Sequence, residues 1–130
     1  MLKITAKEIE NVLKLDAYSR YKYSIKRIAD TNLIYFLIED TGKFALSEIE
    51  GKILFPVWSA KEYAELNRIN VWVKYSILEM RLGEFITDII PILKSKDYLL
   101  SIFAANGKTG FVVEVEELIR DLNAELENYE

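Results

Sequence analysis

The stretch KILFPVWSAKEYAELNRIN, Lys52–Asn70, decides how the rest of the chain must be arranged. Ile53 to Trp58 is a wholly apolar run, rich in strand-favouring residues and bounded by turn chemistry. Ser59 follows, with Glu62 three residues on, which is the Ser-x-x-Glu pattern of a capping box. Trp58 before that cap and Tyr63 at the fourth helical position are spaced as a hydrophobic staple. The pattern predicts a strand that passes through Pro56 and turns into a helix running from Ala60 to about Arg68. Trp58 is expected in the core, locking that corner.

Working upstream, Gly51 marks a turn over Glu48–Lys52, and Phe44–Ser47 reads as a strand. Asp40-Thr41-Gly42-Lys43 is turn-forming, and Leu33–Ile38, LIYFLI, is apolar on both faces. That run predicts a central strand covered on both sides, and the three strands together predict an antiparallel meander. Two helices should precede it. Thr5 and Glu8 form a second capping box, with Ile4 and Ile9 as its staple, and Ile9, Val12 and Leu13 as its buried positions. Asp16 can cap the next helix, which carries Tyr18, Tyr21, Ile25 and Ile28 on one stripe. Arg20, Lys22, Lys26 and Arg27 fall on its other faces and read as a solvated basic surface.

Downstream, Asn70–Lys74 is a loop carrying Trp72, and Tyr75–Met80 a short strand. Leu82, Phe85, Ile86, Ile89, Ile90 and Leu93 give the strongest helical periodicity in the chain, with Pro91 expected to kink or shorten it. Leu99–Ala104 and Phe111–Glu114 read as strands around the loop Asn106–Gly110. The last helix, Val115 to about Tyr129, should bury Leu118, Ile119, Leu122, Leu126 and Tyr129. The order ααβββαβαββα predicts an α+β fold: a mainly antiparallel sheet of about five to six strands flanked by helices. No repeat or Pro/Gly-rich linker divides it, so residues 1–130 form a single domain.

Composition narrows the chemistry. At 51% apolar and 29% charged, the chain has the balance of an ordinary globular domain. No apolar run approaches the roughly 20 residues needed to span a bilayer, and MLKITAKEIE lacks the apolar centre of a secretory signal. A cytoplasmic location is expected. There is no cysteine and no histidine, which removes thiolate and imidazole catalysis and the common ligands of zinc. No cofactor motif is present. The net charge of −4 is uneven: residues 1–29 sum to +4 and residues 114–130 to −6. Such a chain is a poor general binder of nucleic acid, whose affinity comes mainly from phosphate neutralisation.

Three constellations invite a chemical reading. Gly107-Lys108-Thr109 looks like the end of a phosphate loop, but Ile102 stands where the motif needs its first glycine, and a strand follows where it needs a helix. It reads as a hairpin loop whose glycines take positive φ. Asp40 with Glu50-Gly51-Lys52 resembles the acid, acid-x-lysine pattern of metal-dependent nucleases, but set in turns. Glu114, Glu117 and Asp121 fall at i, i+3 and i+7, close enough to share a cation, although a solvent-facing acidic stripe is the commoner meaning. For Trp72, burial under the next helix competes with a contact role, since tryptophan is enriched at interaction hot spots.

The chain resembles the bacterial DUF2750 family, a domain of unknown function. The resemblance rests on Arg20 through Asp30, Ala45-Leu46-Ser47, and Phe55-Pro56-Val57-Trp58 running into Glu62-Tyr63-Ala64. It continues through Leu82-Gly83-Glu84-Phe85, Pro91, and Gly107-Lys108 followed by Phe111-Val112-Val113-Glu114. The chain departs from the family's usual pattern at Ser24 and at Asn32–Tyr35. More distantly, the strand, proline and helix of the opening stretch look like the SseB N-terminal domain, a broad type that includes suspected immunity proteins. The resemblance implies an α+β fold and a cytoplasmic bacterial origin, and it brings no catalytic residues.

These features predict a non-catalytic protein-interaction module, such as an immunity protein neutralising a toxin domain. Glu114, Glu116, Glu117, Asp121 and Glu125 are the expected contacts to a basic partner, with Trp72 as an aromatic anchor. The alternative is a metal-dependent hydrolase or nuclease using Asp40, Glu50 and Lys52. Neither nucleic acid nor a membrane is expected as a partner.

Overall fold

The computed structural model describes residues 4–129, Tyr129 by its backbone alone. The expected burial of the Tyr129 side chain therefore lies outside the described residues. Helix α1, Ala6–Leu13, begins where Thr5 Oγ1 accepts the N–H of Glu8 at 3.1 Å. Helix α2, Ala17–Thr31, begins where Asp16 accepts the N–H of Ser19 at 2.8 Å and ends on Asn32 in the left-handed conformation. Tyr21, Ile25 and Ile28 face the core as the periodicity predicts; Tyr18, the first residue of that stripe, lies at the surface.

Strands β1 (Leu33–Ile38), β2 (Ser47–Ile49) and β3 (Lys52–Val57) follow, and they make the expected meander only in part: the chain turns back at 40–43 and Phe44 bridges antiparallel to Ile38, but the strand begins later, at Ser47. β2 and β3 form a hairpin, whereas β1 pairs along its length with β4, Ser76–Arg81. Beyond β3, a short helix α3 spans Lys61–Glu65. After β4 the chain passes through α4 (Leu82–Glu84), a π-helical turn (Phe85–Ile89) and α5 (Ile90–Lys96). Pro91 sits in the first turn of α5, and the wide turn before it absorbs the hydrogen bond that proline cannot make. The helix is rerouted rather than ended. Ile86, placed on the buried face by a straight helical count, is instead exposed.

Strands β5 (Leu99–Ile102) and β6 (Phe111–Val113) complete a sheet of order β2-β3-β5-β6, and helix α6 covers Val115–Leu126. The architecture is α+β and mostly antiparallel, with β3 and β5 as a parallel pair. That pair is possible because α3, β4 and α5 form the long crossover a parallel connection requires. No helix among the described residues is long and apolar enough to cross a membrane.

Trp58 joins the two sheets. Its N–H donates to Tyr35 O at 3.0 Å and its carbonyl accepts from Tyr35 N at 2.9 Å, linking β3 to β1. Its ring is fully buried and its indole N–H donates to Ala104 O at 3.0 Å. The helix that follows begins later than its cap letters predict. Because Trp58 is held in its bridge to Tyr35 and Ala60 is still extended, at φ −156° and ψ 151°, α3 starts only at Lys61, with no side-chain cap. Ser59 is buried, and its hydroxyl has no hydrogen-bond partner among the described residues, so the Ser59–Glu62 capping box does not form.

The 106–110 loop needs its glycines for two different reasons. Gly107 takes φ +75°, as expected of a turn glycine. At Gly110 the demand is space: a Cβ there would lie 2.3 Å from the carbonyl oxygen of Ile102.

Candidate functional site

Between α3 and β4 the chain forms a short surface loop that exposes aliphatic side chains. Val71 is 83% exposed and Val73 56%, with Leu66 and Ile69 also open to solvent. Exposed apolar residues scattered singly are ordinary; four within eight residues are a cluster. The loop is firmly held. Asn67, buried, donates to Tyr63 O at 2.9 Å, and Arg68 Nε donates to Tyr75 O at 2.6 Å while its Nη1 pairs with Glu65 at 2.8 Å. Asn70 takes φ +54°, which turns the chain into the single 3₁₀ turn Asn70–Trp72. Trp72 is half-buried, edge-on to Trp58 with ring centroids 6.3 Å apart at 84°. Trp72 therefore fastens the loop to the joint between the sheets, and its valine neighbours face outward.

The acidic residues of α6 are divided among local tasks. Glu117 accepts the backbone N–H of Glu114 at 3.3 Å, closing the start of the helix. Glu116 lies 3.9 Å from Lys94. Asp121 accepts the hydroxyl of Tyr21 and lies 3.2 Å from Arg120 Nε, and Glu125 is within 3.4 Å of Asn128. Asp121 and Glu125 also line one side of a groove whose other side is Lys22 and Lys26 of α2. The basic and acidic ends of the sequence thus fold against each other. Glu114, Glu117 and Asp121 do not gather round one point: among the described residues no group of three carboxylates could hold a metal ion. Asp40 stands exposed in the turn after β1, and Glu50 (φ +49°) with Lys52 is exposed at the β2–β3 hairpin.

A second polar region went unnoticed in the sequence. Arg20, Tyr23, Ser24 and Arg27 lie at i, i+3, i+4 and i+7 on α2, and they turn toward the ends of β3 and β5. Tyr23 donates to Glu8 of α1 and shares a 2.8 Å hydrogen bond with Tyr63 of α3. The Ser24 hydroxyl donates to Arg20 O at 2.9 Å, which suits its full burial. Arg20 and Arg27 are half-buried with shielded Nε atoms, so the basic face reduces to Lys22 and Lys26. Arg20 sits over the ring of Phe103, 5.6 Å from its centroid, and Tyr63 lies 4.5 Å from the same ring. Phe103 holds φ +66°, a left-handed backbone costing about 1–3 kcal/mol, stabilised by this packing and by its N–H bond to Val57 O at 3.0 Å.

The electrostatics of that region keep its phenols protonated. Burial, then the Glu8 and Tyr63 hydrogen bonds, hold the Tyr23 phenol well above its usual range, and burial does the same for Tyr63. Tyr35, which donates to Glu79 at 2.8 Å, is pushed up to about 12, burial again being the first cause. These phenols stay neutral across physiological pH; Tyr23 and Tyr63 fasten α1, α2 and α3 together, and Tyr35 ties β1 to β4. The repeated polar positions on α2 were the available signal. They resemble a solvated face unless their aromatic partners on other elements are known.

The fold and its sites define a small α+β domain with a neutral hydrogen-bonded interior and a hydrogen-bonded loop of exposed aliphatics. The chain belongs to the DUF2750 family, described as a protein of unknown function, whose model matches residues 21–122. No curated protein matches the chain significantly.

Proposed function

We propose that this domain is a non-catalytic protein-interaction module, of the kind an immunity protein is to its toxin, with the 66–73 loop as its principal contact. The observation that carries this reading is the exposure of Val71 and Val73 on a loop fastened by Trp72 to the core. Rigid exposed apolar groups lose little conformational freedom on binding, so more of their burial appears as affinity. Trp72 acts as the support beneath the contact. Glu114, Glu116, Glu117, Asp121 and Glu125 form a second, electrostatic surface that draws in a basic partner such as a toxin domain and speeds the encounter.

The test is affinity capture from the native cell with three baits. These are the natural chain, Val71→Asp/Val73→Asp, and Glu116→Lys/Glu125→Lys. A partner should be retained by the first, lost by the second, and captured more slowly and with less salt dependence by the third. Identical capture by all three baits would refute the assignment.

A further inference from the structure

A separate cleft lies between the 42–46 segment and helix α5. Its volume is about 590 Å³, within the range of pockets that enclose small organic ligands. The floor is aromatic and aliphatic: Phe55 and Leu93 are buried beneath it, and Phe44 is fixed edge-on to Phe36 and tilted against Phe55 at 5.7 and 5.2 Å. Leu46 and Ile92 form exposed apolar walls.

The charges at its mouth are uneven. Lys43 and Lys96 both line the cleft, and neither has a carboxylate within ion-pair distance among the described residues. Lys96 rests over the ring of Tyr98 at 6.0 Å. The one acid in the lining, Glu39, is already engaged. Its carboxylate accepts the hydroxyl of Thr41, and the nearby Tyr75 phenol is held above its ordinary value by burial first and then by that carboxylate. The cleft therefore offers an apolar floor and two ammonium groups against one carboxylate, an excess of positive charge in a protein whose net charge is −4.

We propose that this cleft binds a small amphipathic carboxylate, its alkyl or aryl tail against Phe44, Phe55 and Leu93 and its charge between Lys43 and Lys96. The tail contributes by leaving water, and the carboxylate supplies charge-assisted hydrogen bonds to donors that lack a partner. An alkylamine would meet the same floor with the wrong charge. A fatty alcohol would leave the lysines without their anion.

The experiment is a titration of isoleucine-methyl-labelled protein with sodium decanoate below its micelle concentration, followed by NMR, with decylamine and decanol as parallel probes. Decanoate should shift Ile89 and Ile92 first and saturably, while decylamine and decanol bind at least about tenfold more weakly. Lys43→Glu/Lys96→Glu should weaken decanoate by at least the same factor. Ile92→Asp should weaken it through the wall, and both variants alter exposed positions, so thermal melts near the natural one will show that they fold. Shifts centred away from Ile89 and Ile92, equal binding of decanol and decanoate, or decanoate binding unchanged by both variants would overturn the proposal. Because Val71→Asp/Val73→Asp leaves the cleft intact, its decanoate titration separates failure here from failure of the loop as a contact.

Discussion

Replacing Trp58 by phenylalanine should cost this domain about 2–4 kcal/mol. Two losses make up that figure. The indole N–H bonded to Ala104 O disappears, leaving a buried carbonyl without its donor at about 1–3 kcal/mol. The smaller ring also leaves a void of roughly 40 Å³ where no solvent reaches, adding about 1 kcal/mol at about 24 cal/mol per Å³. Phenylalanine keeps the backbone pair with Tyr35, so the two sheets stay joined and the fold survives. With an unfolding entropy of about 0.27 kcal/mol/K for a domain of this length, Tm should fall by roughly 10 °C. The assay is guanidinium denaturation followed by far-ultraviolet circular dichroism, because the substitution itself changes tryptophan fluorescence. An unchanged m-value with a midpoint roughly 1 M lower is expected. A loss under about 0.5 kcal/mol would refute the reasoning, showing that the indole bond to Ala104 and the filled ring volume contribute little to stability.

Gly110→Ala should be more damaging than its size suggests, at about 3 kcal/mol or more, since the new Cβ would meet backbone atoms of Ile102 and Ala104 that cannot rotate away; Gly107→Ala, with open space around it, should cost only the strain of its positive φ, and equal melts for the two would refute the distinction. Stability should be full below pH 10 and fall as pH rises past it. Tyr21, Tyr23, Tyr35 and Tyr63 hold their protons more tightly folded than the ordinary phenol value near 10, with Tyr35 at about 12, so the unfolded chain loses protons first. Absorbance at the phenolate band should show delayed ionisation of part of the eight tyrosines, and a single transition near pH 10 with intact circular dichroism would contradict this.

The sequence carried the fold wherever a signal was local. Thr5 and Asp16 start their helices as their side chains predict, and LIYFLI is the doubly covered strand its composition implies. What escaped was decided at long range. Ser59–Glu62 has the letters of a capping box, but Trp58's pairing with Tyr35 keeps that segment extended one residue too far. β1 pairs along its length with β4 rather than β2, a choice made between distant strands, Leu33–Ile38 and Ser76–Arg81, that no turn signal reports. The acidic row of α6 was legible as charge, yet its pairing with Tyr21 and its position across from Lys22 and Lys26 depend on how two distant helices pack. For Trp72 the sequence left burial and exposure in competition, and the ring is half-buried against Trp58 while its neighbours Val71 and Val73 reach solvent.

The most direct measurement of the interaction reading is hydrogen–deuterium exchange of the domain alone and in complex with whatever partner it captures. Slowed exchange concentrated in residues 66–73, with the sheet amides around Trp58 unchanged, is the expected outcome. Protection that leaves 66–73 untouched and appears elsewhere would contradict it.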